Sequence, residues 1–421
     1  MKFLKMVFII IVLTSKGLSQ NQSKIQINLF GNDNYTHFLN NNTNGVYSSN
    51  NVKSNIIVSN IFSNENYTNL NFHLKWMLNE NELKILEFHS KYSNKIINVK
   101  IGSFNNEKLY ESPNYSSGSM VFSNNAEKIP GISINSNWIN IYNIFDLKAE
   151  LFQGKFPKQP GYKGGPYLHY KSLLFKRSFN DLILGFSIQH AVQHGGYDQN
   201  NQKIPNTWEN YVNVFFARSG DESQPGQDQA YRAGNGLGAF TLSLQTNNFK
   251  LYFEHYFDDK SGVKTLNFGD GLLGIEYLSK NINLNFELID TTNQSGNKHP
   301  PGVDSYYYHD VYKFGWSNNG LTIGNSFINP YSNRKIIYNS NIKLSFEQTS
   351  FILQYANSKI FVPYLSKNNN LPYQNHNEIL ERNNYVMAGV EKKIGNDRMI
   401  MLSYAKEKSG SNIVLSYLFE L

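Results

Sequence analysis

The stretch LYFEHYFDDKSGVKTLNFGDGLLGIE, residues 251–276, shows the pattern that organises the whole chain. Leu251, Phe253, His255 and Phe257 fall on one side of an extended backbone and Tyr252, Glu254 and Tyr256 on the other, since successive side chains of a strand point to opposite faces. An acidic, glycine-containing loop follows (Asp258, Asp259, Ser261, Gly262, Gly269, Asp270, Gly271), and a second alternating run then puts Leu273, Ile275 and Tyr277 on one face. The pattern predicts two membrane-spanning strands joined at the cell surface.

Read backward from the C-terminus, the alternation repeats. Ile413, Leu415, Tyr417, Phe419 and Leu421 share one face of a final strand, an aromatic-rich ending that resembles the signal read by the barrel-insertion machinery. Short turns are expected at Asn396-Asp397, Thr349-Ser350, Asn319-Gly320, Lys280-Asn281, Asn247-Asn248 and Asn180-Asp181. Several of these are favoured turn pairs. Longer polar excursions fall between them, near 357–384, 327–341, 291–311 and 258–271. Short periplasmic turns alternating with longer extracellular loops are the signature of a bacterial barrel. The segment 191–238 is one long excursion, yet it contains an apolar run, 208–217. Trp208, Tyr211, Val212, Phe215 and Phe216 recur there at helical spacing, with Thr207 at the N-cap position and Pro205 just ahead. A short helix near 207–217 is therefore expected over or in the barrel mouth. Further strands are expected at 168–179 and 181–190, and at 147–156, 131–139, 95–104, 83–91 and 70–78. The predicted fold is all-β: a transmembrane antiparallel outer-membrane β-barrel of about sixteen to eighteen strands, with a short helical insert closing the lumen. It forms a single domain over residues 20–421.

Composition narrows the compartment. In Met1–Ser19, Lys2 and Lys5 precede the apolar run Val7–Leu13 and small residues follow, which is the layout of a secretory signal peptide. No other uninterrupted apolar stretch reaches the roughly 20 residues of a helical span. There is no cysteine, so disulfides and thiolate metal sites are excluded. Tyr (28) and Phe (29) are abundant while mean hydropathy is −0.47, as expected if only alternate strand residues meet lipid and aromatic girdles mark the interfaces. The net charge of +7 falls to about +4 without Lys2, Lys5 and Lys16 of the leader, too mild to point to nucleic acid.

The candidate chemistry is polar and aromatic. His190 and His194, four apart, can contact sugar hydroxyls, while no third ligand lies close enough in sequence to imply a metal. Asp258, Asp259 and Asp270 can accept from hydroxyls or pair with Arg218, Arg232 or Lys260 to close the mouth. Glu254 and Glu276 on facing strands, with His255, resemble a glycosidase pair only superficially, because charged residues normally line a barrel lumen. Trp208, Trp316 and Tyr306 to Tyr308 offer flat faces for sugar C–H packing or serve as helix-core and girdle aromatics, with Trp208 expected as a plug anchor ahead of a ligand contact. No G-x-S-x-G elbow supports a serine nucleophile. The expectation is a protein without catalysis and without a cofactor.

Together, Gln189-His190-Ala191-Val192-Gln193-His194-Gly195-Gly196, Ile204-Pro205-Asn206-Thr207-Trp208, Gly234-Asn235-Gly236-Leu237-Gly238 and Phe257-Asp258-Asp259-Lys260-Ser261-Gly262 resemble the capsule-assembly Wzi family in the form common in Bacteroidetes. Asp270-Gly271-Leu272-Leu273-Gly274-Ile275-Glu276, Tyr307-Tyr308-His309, Gly315-Trp316 and Ile323-Gly324-Asn325 extend the resemblance over roughly Leu151–Asn329. It implies an outer-membrane barrel of about eighteen strands with helical material in the lumen. Such a barrel would act as a surface lectin holding capsular polysaccharide, embedded in outer-membrane lipid and lipopolysaccharide. The chain departs from the family pattern where His194 and Leu273 stand in place of tryptophan. The resulting ligand-binding candidates are His190, His194, Trp208, Arg232, Glu254, His255, Asp258, Asp259, Asp270 and Trp316. The alternative is a porin or transporter for oligosaccharides or other solutes, which requires an open lumen.

Overall fold

The computed structural model describes residues 21–31, 36–46, 53–63, 69–104, 116–229, 232–258, 267–295, 304–362 and 378–420. Residues 1–20, which hold the expected signal peptide, and Asp259 lie outside them. Alternation builds eighteen strands. The first nine are β1 (Asn21–Phe30), β2 (Ser54–Ser63), β3 (Leu70–Asn79), β4 (Leu83–Ser93), β5 (Ile97–Ser103), β6 (Pro130–Ser136, resuming as Ile139–Ile141), β7 (Phe145–Lys155), β8 (Tyr167–Phe179) and β9 (Leu182–His194). The rest are β10 (Asn235–Gln245), β11 (Phe249–Asp258), β12 (Gly271–Leu278), β13 (Ile282–Asp290), β14 (Lys335–Phe346), β15 (Thr349–Phe361), β16 (Ile379–Ile394), β17 (Arg398–Glu407) and β18 (Gly410–Glu420). Each pairs antiparallel with the next. β18 returns to β1 with Phe419 opposite Ile25 and Tyr417 opposite Ile27, so the sheet closes without an edge. Closure satisfies every strand's backbone in hydrocarbon, where an unpaired edge is not tolerated.

The outward positions form an apolar belt: Leu242, Leu251, Leu273, Ile275, Phe286, Phe351, Leu353, Leu402 and Leu415 are all exposed. The intervening residues face the lumen, as Tyr252, Glu254 and Tyr256 do on β11. Connections at one end are tight, with Asn180 and Glu347 in the left-handed conformation that their turns need. Those at the other end are mostly long, with 80–82 and 408–409 the short exceptions, which marks it as the extracellular end.

Three long connections fold back inside. Residues 36–46, including α1 (His37–Asn40), residues 116–129 and residues 304–334 pack together in the lumen. Trp316, Tyr306, Tyr307, Met120 and Val121 sit with the wall residues Tyr170, Tyr252, Tyr256 and Ile289 in one apolar cluster. Plug contacts reach the wall at Lys84 (β4), Tyr170 (β8), Gln193 (β9), Glu254 (β11), Glu287 (β13), Lys335 (β14), Tyr385 (β16) and Glu407 (β17).

Two expectations are corrected here. Asn319-Gly320 is not a periplasmic turn between membrane strands, because 291–334 is a single extracellular connection. The turn caps a two-residue ladder, Ser317–Asn318 against Leu321–Thr322. The flanking apolar residues imitate strands only because Trp316, Ile323 and Ile328 pack into the plug. Nor does the insert helix, α2 (Trp208–Phe215), close the lumen. Its buried Val214 meets Val192 and Ala233, and Val192 faces outward, opposite in parity to lumen-facing Ala191 and Gln193 of the same strand. The helix lies on the barrel's outer flank, and loops plug the lumen instead. Its start does follow the sequence signal, since the Thr207 side chain accepts from the Asn210 N–H at 3.2 Å.

Candidate functional site

Buried carboxylates fasten the plug. Glu254, 1 % exposed, accepts from the Ser119 hydroxyl at 2.9 Å and from the Met120 N–H at 2.6 Å. Glu287 accepts from the Ser116 hydroxyl (2.5 Å), the Ser117 N–H (2.9 Å), the Tyr252 hydroxyl (2.8 Å) and the Asn339 amide (3.0 Å). A carboxylate in a low-dielectric interior is tolerated only with such donors. Glu276 lies elsewhere, 3.6 Å from Lys250. Glu254 and Glu276 therefore serve different partners and form no catalytic pair.

Asp270, directly before β12, accepts from the Asn293 and Gln294 N–H groups at 2.9 and 2.7 Å and from the Tyr306 hydroxyl at 2.7 Å. Burial nevertheless outweighs these bonds and raises its carboxyl from 3.8 to about 6. The folded state then binds this proton more tightly than the unfolded chain, so the contribution to stability is greatest below about pH 4 and is lost as pH rises through 6. The gap in Tm between wild type and Asp270→Asn, measured from pH 4 to 7, should move in the variant's favour as pH rises. A gap independent of pH would contradict the shifted carboxyl. In α1, burial first and then the Lys335 ammonium lower the His37 imidazole to about 3. It stays neutral, stacked on Phe327 at 3.9 Å.

The candidate residues separate into three places. Glu254, Asp270 and Trp316 are enclosed. Trp316 donates its indole N–H to the Val121 carbonyl at 2.8 Å and is 1 % exposed, which leaves no face for a sugar. Asp258 ends β11 on the lumen-facing parity. His190, His194, Trp208 and Arg232 gather on the outer flank. There His194 contacts Asn206 (3.2 Å) and Gln153 (3.3 Å), Tyr211 of α2 reaches His169, and the Lys171 ammonium donates to the Phe215 carbonyl. His190 and Arg232 line a small pocket with Ala217, Gly236 and Phe257. Trp208 is 77 % exposed on this flank and anchors no plug. His255 also has outward parity, its Nδ1 2.8 Å from the Asp270 carbonyl oxygen. The two positions that depart from the family's tryptophans, His194 and Leu273, both face outward.

At the mouth stands a group that pattern reading singled out only through Tyr308. Tyr331, 73 % exposed, lies edge-on to Tyr308 with ring centroids 6.2 Å apart. The Lys313 ammonium sits 5.1 Å over the Tyr308 ring, 2.9 Å from its hydroxyl and 3.5 Å from Asp310. The Lys313 backbone N–H donates to the Tyr162 hydroxyl at 3.0 Å. The Tyr331 hydroxyl donates to the Lys313 carbonyl. No alternation marks these residues, because they sit on an irregular loop.

A closed barrel with an apolar belt, short turns at one end and a lumen packed by its own loops is an outer-membrane β-barrel protein. Residues 37–339 match the family model described as capsule assembly protein Wzi. The chain belongs to that family. Among solved structures it is similar to Wzi of Escherichia coli, described as an outer-membrane protein involved in group 1 capsule assembly and a carbohydrate-binding β-barrel. Identity there is 13 %, covering 99 % of this chain and 86 % of that one at a TM-score of 0.63. Pseudomonas aeruginosa OccK5 gives 11 % identity over 96 % of this chain and 99 % of that one, TM-score 0.45. A Rh. blastica porin mutant gives 8 % over 95 % and 98 %, TM-score 0.41. No curated protein sequence matches.

Proposed function

We propose that this barrel binds capsular polysaccharide at the cell surface and retains it there, without catalysis and without passing solutes through its lumen. The observation that carries the reading is the combination of a plug tied to the wall on many sides with a group above it in which an exposed Tyr331 meets half-buried Tyr308 and Lys313. A transporter needs the lumen that these loops occupy. Aromatic faces beside a cation and a carboxylate suit a sugar, whose C–H face packs on rings while its hydroxyls meet charged groups. Family membership and the carbohydrate binding described for the Escherichia coli protein support the same reading.

On the flank the partner is lipid. Trp208 and Phe216 are exposed there, and the Arg218 guanidinium lies 5.1 Å over the Phe216 ring. Aromatics with snorkelling cations are what the headgroup region of the outer leaflet, lipopolysaccharide included, accommodates. The outward run Ile413, Leu415, Tyr417 and Phe419 serves the insertion machinery.

Deleting the gene should move polysaccharide from the cell-bound to the released fraction while total synthesis holds. Complementation with a Tyr308→Ala/Tyr331→Ala variant should leave the shift in place, with purified variant binding polymer about ten-fold more weakly, the loss expected for roughly 1.4 kcal/mol. Unchanged retention in the deletion strain would end the anchoring reading.

A further inference from the structure

We propose that His73, Glu87 and His89, on the lumen wall, form a three-ligand site for a divalent transition metal of the zinc class. The reading is independent of polysaccharide binding. His73 on β3 pairs across the ladder with His89 on β4, and the same register sets Glu87 opposite Lys75 on that inward face, just before the bulge between Lys75 and Trp76. The Nδ1 atoms of both imidazoles converge on one carboxylate oxygen: Glu87 Oε1 is 3.3 Å from His73 and 3.4 Å from His89. All three donor atoms lie within 4.8 Å of one another.

Those separations fit a shared ion. Two donors at tetrahedral angle around zinc, each roughly 2.0–2.1 Å from it, stand about 3.3–3.4 Å apart. The two imidazole donors lie no more than 4.8 Å apart, and a shared ion would draw them to the same spacing. The outer shell is present as well. His73 Nε2 is 3.1 Å from the Ser59 hydroxyl, which gives the ring proton an acceptor on Nε2 once Nδ1 is bound to a metal. Fixing the tautomer through the distal nitrogen is the usual second-shell device of metal-binding histidines. His89 packs edge-on to Phe104, centroids 5.7 Å apart. Across the ladder Gly102 holds φ +132°, and a Cβ there would come within 2.8 Å of the His89 Cα. Glycine thus leaves the imidazole its place.

Side-chain exposures of 19, 13 and 16 % leave the three ligands reachable from lumen water, so the fourth position is open to a solvent molecule. One carboxylate facing the Lys75 ammonium disfavours calcium or magnesium, which need several oxygen donors, whereas two imidazoles favour zinc, nickel or copper.

The test is zinc titration of the untagged, metal-stripped full-length protein in detergent, by calorimetry and by the visible spectrum of the cobalt form. One equivalent should bind, with a tetrahedral cobalt spectrum. His73→Ala and His89→Ala should each weaken binding at least about 100-fold, and Ser59→Ala about 10-fold. His89→Gln keeps the volume that alanine removes from the wall, and heat-modifiable gel migration reports that each variant is still a folded barrel. Absence of zinc binding by the wild type would overturn the proposal and leave Glu87 as the counterion of Lys75 and its two imidazoles. Undiminished binding by a folded His73→Ala/His89→Gln double variant would overturn it equally.

Discussion

Replacing Glu254 and Glu287 together by alanine is expected to turn a non-conducting barrel into one that passes ions. These carboxylates hold residues 116–120 against β11 and β13 through two hydroxyls and two backbone N–H groups. Hydrogen bonds to a charged group contribute roughly 1.5–3 kcal/mol each, and a buried donor left without an acceptor costs about 1–3 kcal/mol. Without both anchors the segment keeps only its apolar contacts and its bonds to the 304–334 loop, such as Trp316 and Tyr307 to the Val121 and Met120 carbonyls, none of which tie it to the wall at β11 or β13. The segment should leave the lumen while the eighteen-strand wall persists, since no ladder bond is touched. Single-channel recording in planar bilayers should show silent wild type, silent or flickering single variants and a conducting double variant. A silent double variant with normal heat-modifiable migration would mean that 304–334 seals the barrel alone.

Gly274→Val should have the second large effect, this time on folding itself. Gly274 lies opposite Tyr252 in the β11–β12 ladder. The Tyr252 ring crosses directly over it, so that a Cβ would fall 2.0 Å from Cζ and 2.4 Å from the hydroxyl oxygen. Tyr252 is fully buried, donates to Glu287 and accepts from Asn285 at 3.0 Å. Any side chain at 274 must expel that ring and strand both partners. Overpacking costs about 1–3 kcal/mol, and the lost bonds add to it. The expectation is a large drop in mature barrel at the outer membrane, read by surface labelling. Wild-type levels of Gly274→Val would show that the ring has somewhere else to go. The glycine of the DGLLGIE motif is accounted for by this contact, not by a ligand.

Strand after strand was legible because period-two alternation is imposed by lipid on one side and lumen on the other. The closure of β18 onto β1 followed from needing no edge. What failed shares one cause. Within the plug and beneath α2, backbone is irregular and apolar residues are buried from every direction, so no period survives. Trp316 and Ile323 looked like strand residues, and Trp208 looked like a lumen anchor. Parity alone could have placed α2 correctly, because Val192 and His194 carry the opposite sign to Gln193, but nothing local says which face a loop will cover. His73 and His89 went unnoticed because a register, not a spacing, joins them across two strands. Tyr308 and Tyr331, far apart in any local window, meet only because the loop turns back on itself.

The plug also dictates an order of assembly. Its three segments belong to the connections after β1, β5 and β13, yet they bond to one another and to late strands: Asn42 reaches Ser326, and the His37 N–H reaches Glu407. Contacts of such long sequence separation form slowly, because loop-closure entropy is spent before they repay it. Ser416 of β18 donates to Asn28 of β1 at 2.6 Å, so the ring is completed only when β18 is in place. Seating the three loops while that final seam is still open spares them a passage through the mouth of a finished wall. A chain paused before β18 should hold an open-sided sheet with its contents already seated, and the seam then acts as the latch on a vessel that is filled before it is shut.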